Sequence, residues 1–213
     1  MQKEIIAAWA SANGIEITET QFATLAAYQA RVLDVNQHMN LTRITGPQDF
    51  AVKHIIDSLT LLPYITPNAK LIDIGTGAGF PGLVLRIMRE DLQLTLLDSL
   101  RKRVNFLNET TEILGIPAQC IHARAEEYSR KHREFYDICT ARAVASMDKL
   151  AKYALPVVKN GGVFLAMKGP DIQDELKNAK PAIEKYGGHI EKIDLVKISE
   201  GQTHSIVAIK KST

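Results

Sequence analysis

Residues 71–82 read Leu-Ile-Asp-Ile-Gly-Thr-Gly-Ala-Gly-Phe-Pro-Gly, an apolar run that stops at a glycine-rich turn. Pro81 pre-sets φ for the first turn of a helix, and Leu83, Val84, Ile87 and Met88 follow at helical spacing. Strand, glycine turn and helix start together predict a nucleotide-binding corner. Glycine permits the tight turn and lets a ligand approach the backbone closely.

The same glycines admit two readings. Gly77, Gly79 and Gly82 spell the dinucleotide pattern G-x-G-x-x-G. Gly75, Gly77 and Gly79 spell a tighter G-x-G-x-G with Asp73 two residues ahead, which resembles motif I of the class I methyltransferases that bind S-adenosylmethionine. A dinucleotide brings a pyrophosphate to the helix N-terminus. S-adenosylmethionine brings a sulfonium and an ammonium with a carboxylate. Asp73 suits the cationic end, or it accepts backbone N–H bonds around the turn; the two roles are compatible.

Working outward, strand and helix alternate from residue 70. Strands are predicted at 70–74, 93–97, 118–122, 135–140, 162–167, 189–197 and 204–209. Helices are predicted at 81–89, 101–114, 124–130, 147–158 and 171–186. This alternation predicts a parallel, doubly wound α/β sheet. Only Ser-Glu-Gly-Gln separates the last two strands, so they should form a terminal antiparallel hairpin. The first part of the chain reads as helical. Ile5, Ile6, Ala8 and Trp9 share a face, Thr18 and Gln21 make a capping box, and Pro47 opens a third helix through Leu62. Residues 1–68 are therefore read as a helical extension packed on a core domain spanning 69–213.

The 213 residues carry a formal net charge of +2, unevenly placed. Four Lys/Arg and six Asp/Glu precede residue 69, leaving twenty-two and eighteen for the rest. The basic clusters Arg101-Lys102-Arg103 and Arg130-Lys131-His132-Arg133 are either solvated surface or a footprint for an anionic partner such as nucleic acid. No signal peptide and no run of bilayer length is read, and Cys120 and Cys139 fall in strands as reduced core residues; a cytoplasmic protein is expected. The six histidines lack metal-ligand spacing, so no metal is expected.

Asp98 ends the second strand about twenty residues after the glycine turn, where a carboxylate accepts from ribose hydroxyls. Ala125 and Glu126 follow the third strand, where the fold places an adenine ring; Glu126 either orients the base or its local backbone or is an exposed acidic helix start. The fourth strand ends Thr140-Ala141-Arg142, with no Asp/Asn-Pro-Pro-aromatic motif and no proline beside Cys139, which argues against amino-group and cytosine C5 methylation. Arg142 remains as the polar group. It cannot be a general base, but it can bind a carboxylate, a phosphate or the O6/N7 edge of guanine.

Six segments then carry a closer resemblance. Asn40-Leu41-Thr42, Lys53-His54-Ile55-Ile56-Asp57-Ser58-Leu59, the run 72–82, Leu97-Asp98-Ser99-Leu100-Arg101-Lys102-Arg103-Val104-Asn105-Phe106-Leu107, Ala141-Arg142-Ala143-Val144-Ala145 and Met167-Lys168-Gly169 resemble, in order and spacing, the RsmG (GidB) family of bacterial 16S ribosomal RNA guanine-N7 methyltransferases. Met39 departs from the aromatic residue common there. The resemblance implies S-adenosyl-L-methionine as cofactor, with Gly75, Phe80, Ala125, Glu126 and Arg142 at cofactor-binding positions. Asp73, Gly77, Gly79 and Asp98 join them from the residue reading. It implies 16S ribosomal RNA or the small ribosomal subunit as partner, with nothing demanding more than a monomer.

No acid or base is assigned, because guanine N7 has no proton to lose; Arg142 is the one catalytic candidate. Arg43, Lys53, His54, Arg101, Lys102 and Lys168 are the candidate RNA contacts. His54 and Asp57 share a helix face and are alternatively a buried pair tying the N-terminal helices to the sheet. Two other readings stay open: an NAD(P)-dependent oxidoreductase, and a non-catalytic RNA-binding or ribosome-assembly factor.

Overall fold

The structure is a computed structural model that describes residues 1–142 and 145–212. Ala143 and Val144, within one of the quoted segments, and Thr213 lie outside the described residues.

Seven strands form one sheet in the order β3-β2-β1-β4-β5-β7-β6. Strands β1 (Lys70–Ile74), β2 (Gln93–Asp98), β3 (Gln119–His122), β4 (Tyr136–Arg142) and β5 (Val158–Lys168) are parallel, and β7 (Gln202–Lys211) runs antiparallel between β5 and β6 (Gly188–Ser199). The predicted terminal hairpin is thus present, with its second strand inserted inside its first. The strand order reverses between β1 and β4, and ligands of such sheets sit outside the carboxyl ends at that point.

Strand β1 is buried along Leu71–Ile74, as a central parallel strand covered on both faces must be. One apolar cluster, including Leu71, Leu85, Leu94 and Leu165, lies on one face of the sheet. A second, including Ile72, Cys139, Leu150, Phe164 and Ile183, lies on the other. Helices α5 (Gly82–Met88), α6 (Arg101–Ile113), α7 (Ala125–Lys131), α8 (Met147–Ala154) and α9 (Gln173–Lys185) complete the α/β alternation. Helix α8 stops short of its expected end because Pro156 removes an N–H donor; a 3₁₀ turn at Leu155–Val157 leads into β5.

The helices before residue 69 contribute Ile6, Phe22, Leu25, Tyr28 and Val32 to the first cluster. Helix α1 (Lys3–Ala12) carries Trp9, whose Nε1 donates to the Lys197 carbonyl of β6 at 3.1 Å. Helix α2 (Glu19–Asn36) opens on the Thr18 capping box, with both reciprocal bonds formed. The third helix departs from expectation. It begins as α3 (Pro47–Phe50), widens into a π-helical segment at Ala51–Ile56 and closes as α4 (Asp57–Leu59). A widened turn changes the angular spacing of its side chains, and here it carries Lys53 and His54.

Candidate active site at the switch point

Two adjoining compartments open at the carboxyl ends of the central strands and share Gly75. The first, about 240 Å³, is lined by Asp98, Ser99, Ala125, Glu126 and Tyr153 among others. The second, about 390 Å³, is walled by Gly75–Ala78 and Phe80, by Leu41, Thr42, Ile44 and His54, and by Arg103 and Arg142. A larger groove of about 570 Å³ between α1 and α2 is lined mainly by apolar residues, with Glu16 as its charged group and no Lys or Arg in its wall.

The turn is built tightly. Gly77 has φ +63°, and its N–H donates to Asp98 Oδ2 at 2.9 Å. Gly79 has φ +106°, and a Cβ there would stand 2.6 Å from both Leu83 Cδ1 and the Tyr28 hydroxyl oxygen. Tyr28 needs that space because its hydroxyl donates to the Ala78 carbonyl at 2.7 Å.

Asp73 lies beneath this turn and has no exposed surface. Its Oδ2 accepts from the Thr76 hydroxyl at 2.6 Å and the Gly82 N–H at 3.0 Å, and its Oδ1 accepts from the Thr140 hydroxyl at 3.0 Å. Burial raises its pKa, and the three donors offset this only in part. Of the two roles read for Asp73 in the sequence, the second is formed: the carboxylate is sealed under the turn and braces it. Asp98 does reach the compartment wall, with Oδ1 accepting from the Leu100 N–H at 2.9 Å and Arg103 3.5 Å from Oδ2. Ala125 and Glu126 line the same compartment from the first turn of α7. Cys139 is fully buried, and burial pushes its thiol pKa well up, as suits an inert core residue.

Arg142 ends β4 and points at the N-terminal helices. Its Nη1 donates to the Lys53 carbonyl at 2.7 Å and to Asp57 Oδ2 at 2.9 Å, while Nη2 donates to His54 Nδ1 at 3.1 Å. Asp57 Oδ1 meets His204 of β7. Burial would raise the Asp57 pKa, but the contacts from His204 and Arg142 outweigh it and hold the carboxyl below its ordinary value. The His54 ring stacks on Phe80 with centroids 4.3 Å apart, and the Arg142 guanidinium lies 5.4 Å from the Phe80 centroid. Burial, reinforced by the Arg142 charge, lowers the His54 pKa to about 3. His54 is therefore neutral.

These placements sort the expected RNA contacts. Arg43, Arg101 and Lys102 are exposed and form no ion pair among the described residues. Lys53 pairs with Asp49 at 2.9 Å. His54 is corrected, because it is buried with both ring nitrogens engaged by Arg142 and Thr42. Lys168 is corrected as well: its ammonium donates to the Ala145 carbonyl at 2.6 Å and to Glu175 at 2.7 Å, holding the β4–α8 connection. His204 and Thr42 went unassigned in the sequence. His204 lies between Thr203 and Ser205, ahead of the apolar run Ile206–Ile209 of β7, so no local pattern pointed to it.

A seven-stranded sheet with an inserted antiparallel β7 and a glycine turn at its switch point defines a class I methyltransferase. Solved structures agree in fold. The precorrin-6y C5,15-methyltransferase of Geobacter metallireducens superposes with a TM-score of 0.56 at 15% identity, covering 82% of this chain and 92% of that one. TYW2 of P. horikoshii in complex with MeSAdo superposes with a TM-score of 0.60 at 14% identity, covering 73% and 61%.

The chain belongs to the GidB family, rRNA small subunit methyltransferase G, whose model matches residues 21–206. Relatives carrying the name ribosomal RNA small subunit methyltransferase G include one from Desulforamulus reducens, 47% identical over 204 residues, 92% of this chain and 84% of that one. Another, from Alkaliphilus oremlandii, is 43% identical over 215 residues, 98% and 90% of the two chains. This membership sets aside the nicotinamide oxidoreductase reading.

Proposed function

We propose that this protein transfers a methyl group from S-adenosylmethionine to N7 of a guanine in 16S ribosomal RNA. The observation that carries the reading is the paired cleft at the switch point. The Asp98 side offers a carboxylate beside a small compartment for a nucleoside, floored by Ala125 and bounded by Glu126. The Arg142 side offers a second compartment, adjoining the first at Gly75, for the amino-acid end of the cofactor and the target base.

The residues fit that cofactor. A Cβ at Gly77 would meet only open space, so the turn leaves its surface free for a ligand. Arg103 lines the second compartment, and its buried Nε has no partner among the described residues, which suits an incoming carboxylate. When bound, the cofactor supplies a methyl group on a cationic sulfur. Guanine N7 presents a free lone pair, so the protein must align the base and exclude water rather than remove a proton. Arg142 stays protonated, and three of its N–H groups are directed to Lys53, Asp57 and His54. The remaining two have no protein acceptor among the described residues. Arg43, Arg101 and Lys102 supply exposed charge for RNA phosphates.

Calorimetry with S-adenosylhomocysteine and with NADH tests the cofactor half of this reading. Binding of the former alone is expected; binding of NADH alone contradicts it. Transfer of label to ribosomal RNA separates the enzyme from a non-catalytic RNA-binding factor.

A further inference from the structure

Thr42 sits on the wall of the second compartment, which the glycine turn also lines. Its loop is pinned by Asn36, whose Oδ1 accepts the N–H groups of both Leu41 and Thr42 at 2.8 Å. The direction of its hydroxyl follows from the donors and acceptors around it. Arg142 Nη2 is 3.1 Å from His54 Nδ1. A guanidinium only donates, so Nδ1 must accept and the ring proton of the neutral imidazole lies on Nε2. Nε2 is 2.9 Å from Thr42 Oγ1, and therefore donates to it. The Ile44 N–H donates to the same oxygen at 3.0 Å. A hydroxyl has two acceptor lone pairs and one donor hydrogen. Both lone pairs are now occupied, and the hydrogen has no acceptor among the described residues.

We propose that Thr42 is a ligand-binding residue whose hydroxyl, fixed as a donor by Arg142 and His54, hydrogen-bonds an acceptor oxygen in the cleft. Two sources bring such an oxygen: the carboxylate at the amino-acid end of the methyl donor, and O6 of the target guanine. A donor aimed at O6 leaves N7 free to react, whereas adenine would set its amino hydrogens against the hydroxyl hydrogen. The inference rests on the proposed methyl transfer, so transfer and S-adenosylhomocysteine binding are measured first on the unaltered protein. Failure there removes the functional reading, and success followed by silent variants removes only this inference.

The variants are Thr42→Val, which keeps the shape and removes the hydroxyl, and Thr42→Ser, which keeps the hydroxyl. If the partner is the carboxylate, Thr42→Val weakens S-adenosylhomocysteine about tenfold, as expected for removal of one charge-assisted bond. It leaves 5′-methylthioadenosine, which lacks the amino-acid end, bound as before. If the partner is O6, affinity for S-adenosylhomocysteine is unchanged and kcat/KM for ribosomal RNA falls about tenfold. Thr42→Ser retains parental values in both cases. Should Thr42→Val not fold, Thr42→Ala carries the same expectation, because it too removes the hydroxyl and the space it vacates adjoins the second compartment. Parental values in the hydroxyl-free variant, equal weakening of S-adenosylhomocysteine and 5′-methylthioadenosine, or failure of Thr42→Ser to rescue overturns the proposal.

Discussion

Arg142 and Asp57 meet at 2.9 Å across 85 residues of sequence, joining the end of the fourth strand to the N-terminal helices. The pair is mostly buried, and Asp57 is shared with His204. Removing one partner of a buried pair leaves an uncompensated charge. Arg142→Ala is expected to cost about 3 kcal/mol of unfolding free energy, near the low end of such pairs because His204 still faces Asp57. Arg142→Lys returns the charge without the fork that reaches Lys53, Asp57 and His54 together, and should recover only part of that stability. Denaturant unfolding checks both.

Stability should fall in acid, and His54 supplies much of the slope. Its folded pKa is about 3 against an ordinary 6.5, so between those values the unfolded chain binds more protons than the folded one. Stability attributable to His54 is complete above pH 6.5 and is lost as pH falls toward 3, by at most about 1.4 kcal/mol per unit. Asp57 acts in the same direction at the acid end, since its folded pKa is also depressed and its contribution disappears as it protonates. His54→Gln should flatten the dependence of unfolding free energy on pH between 6.5 and 4. An unchanged slope in that variant would show that His54 does not titrate as described.

The glycine turn separates conformational from steric demands. Gly77→Ala meets open space and has only its positive φ to tolerate, at about 1–2 kcal/mol. Gly79→Ala has an unfavourable φ and also drives a methyl into Leu83 and Tyr28. It should therefore cost several kcal/mol more and loosen cofactor binding, because Tyr28 holds the Ala78 carbonyl. Comparison of melting temperatures and of S-adenosylhomocysteine affinities for the two variants reads the difference.

Arg43, Arg101 and Lys102 are the exposed cations of the candidate RNA surface. Replacing Arg101 or Lys102 by Gln should reduce the slope of log affinity against log salt by about one for each phosphate left without its cation. Affinity for S-adenosylhomocysteine should be untouched, since neither residue lines the compartments. Filter binding of 16S RNA fragments across a salt series measures the slope.

Much of this was legible in the chain because local patterns governed it. Alternation from β1 onward, the Thr18–Gln21 capping box and the short turn before β7 depend on neighbouring residues alone. The insertion of β7 between β5 and β6 is a long-range pairing that no local pattern encodes. The π-helical segment was equally hidden, since its apolar residues satisfy an ordinary helical repeat. Asp73 shows where charge reasoning by residue type stops. Its placement beneath the turn depends on three donors, from Thr76, Gly82 and Thr140, converging on one carboxylate. For the same reason the spacing of His54 and Asp57 suggested a pair, while the bond that links them runs through Arg142.

The account turns on methyl transfer to one guanine nitrogen. Ribosomal RNA from cells lacking this protein is incubated with the purified chain and methyl-labelled S-adenosylmethionine, and the labelled position is mapped by cleavage at N7-methylated guanine. Label at a single guanine of the small-subunit RNA, cleaved there by that chemistry, is the outcome expected. Stoichiometric label on a different atom or base, or none although the protein binds both RNA and cofactor, would contradict it.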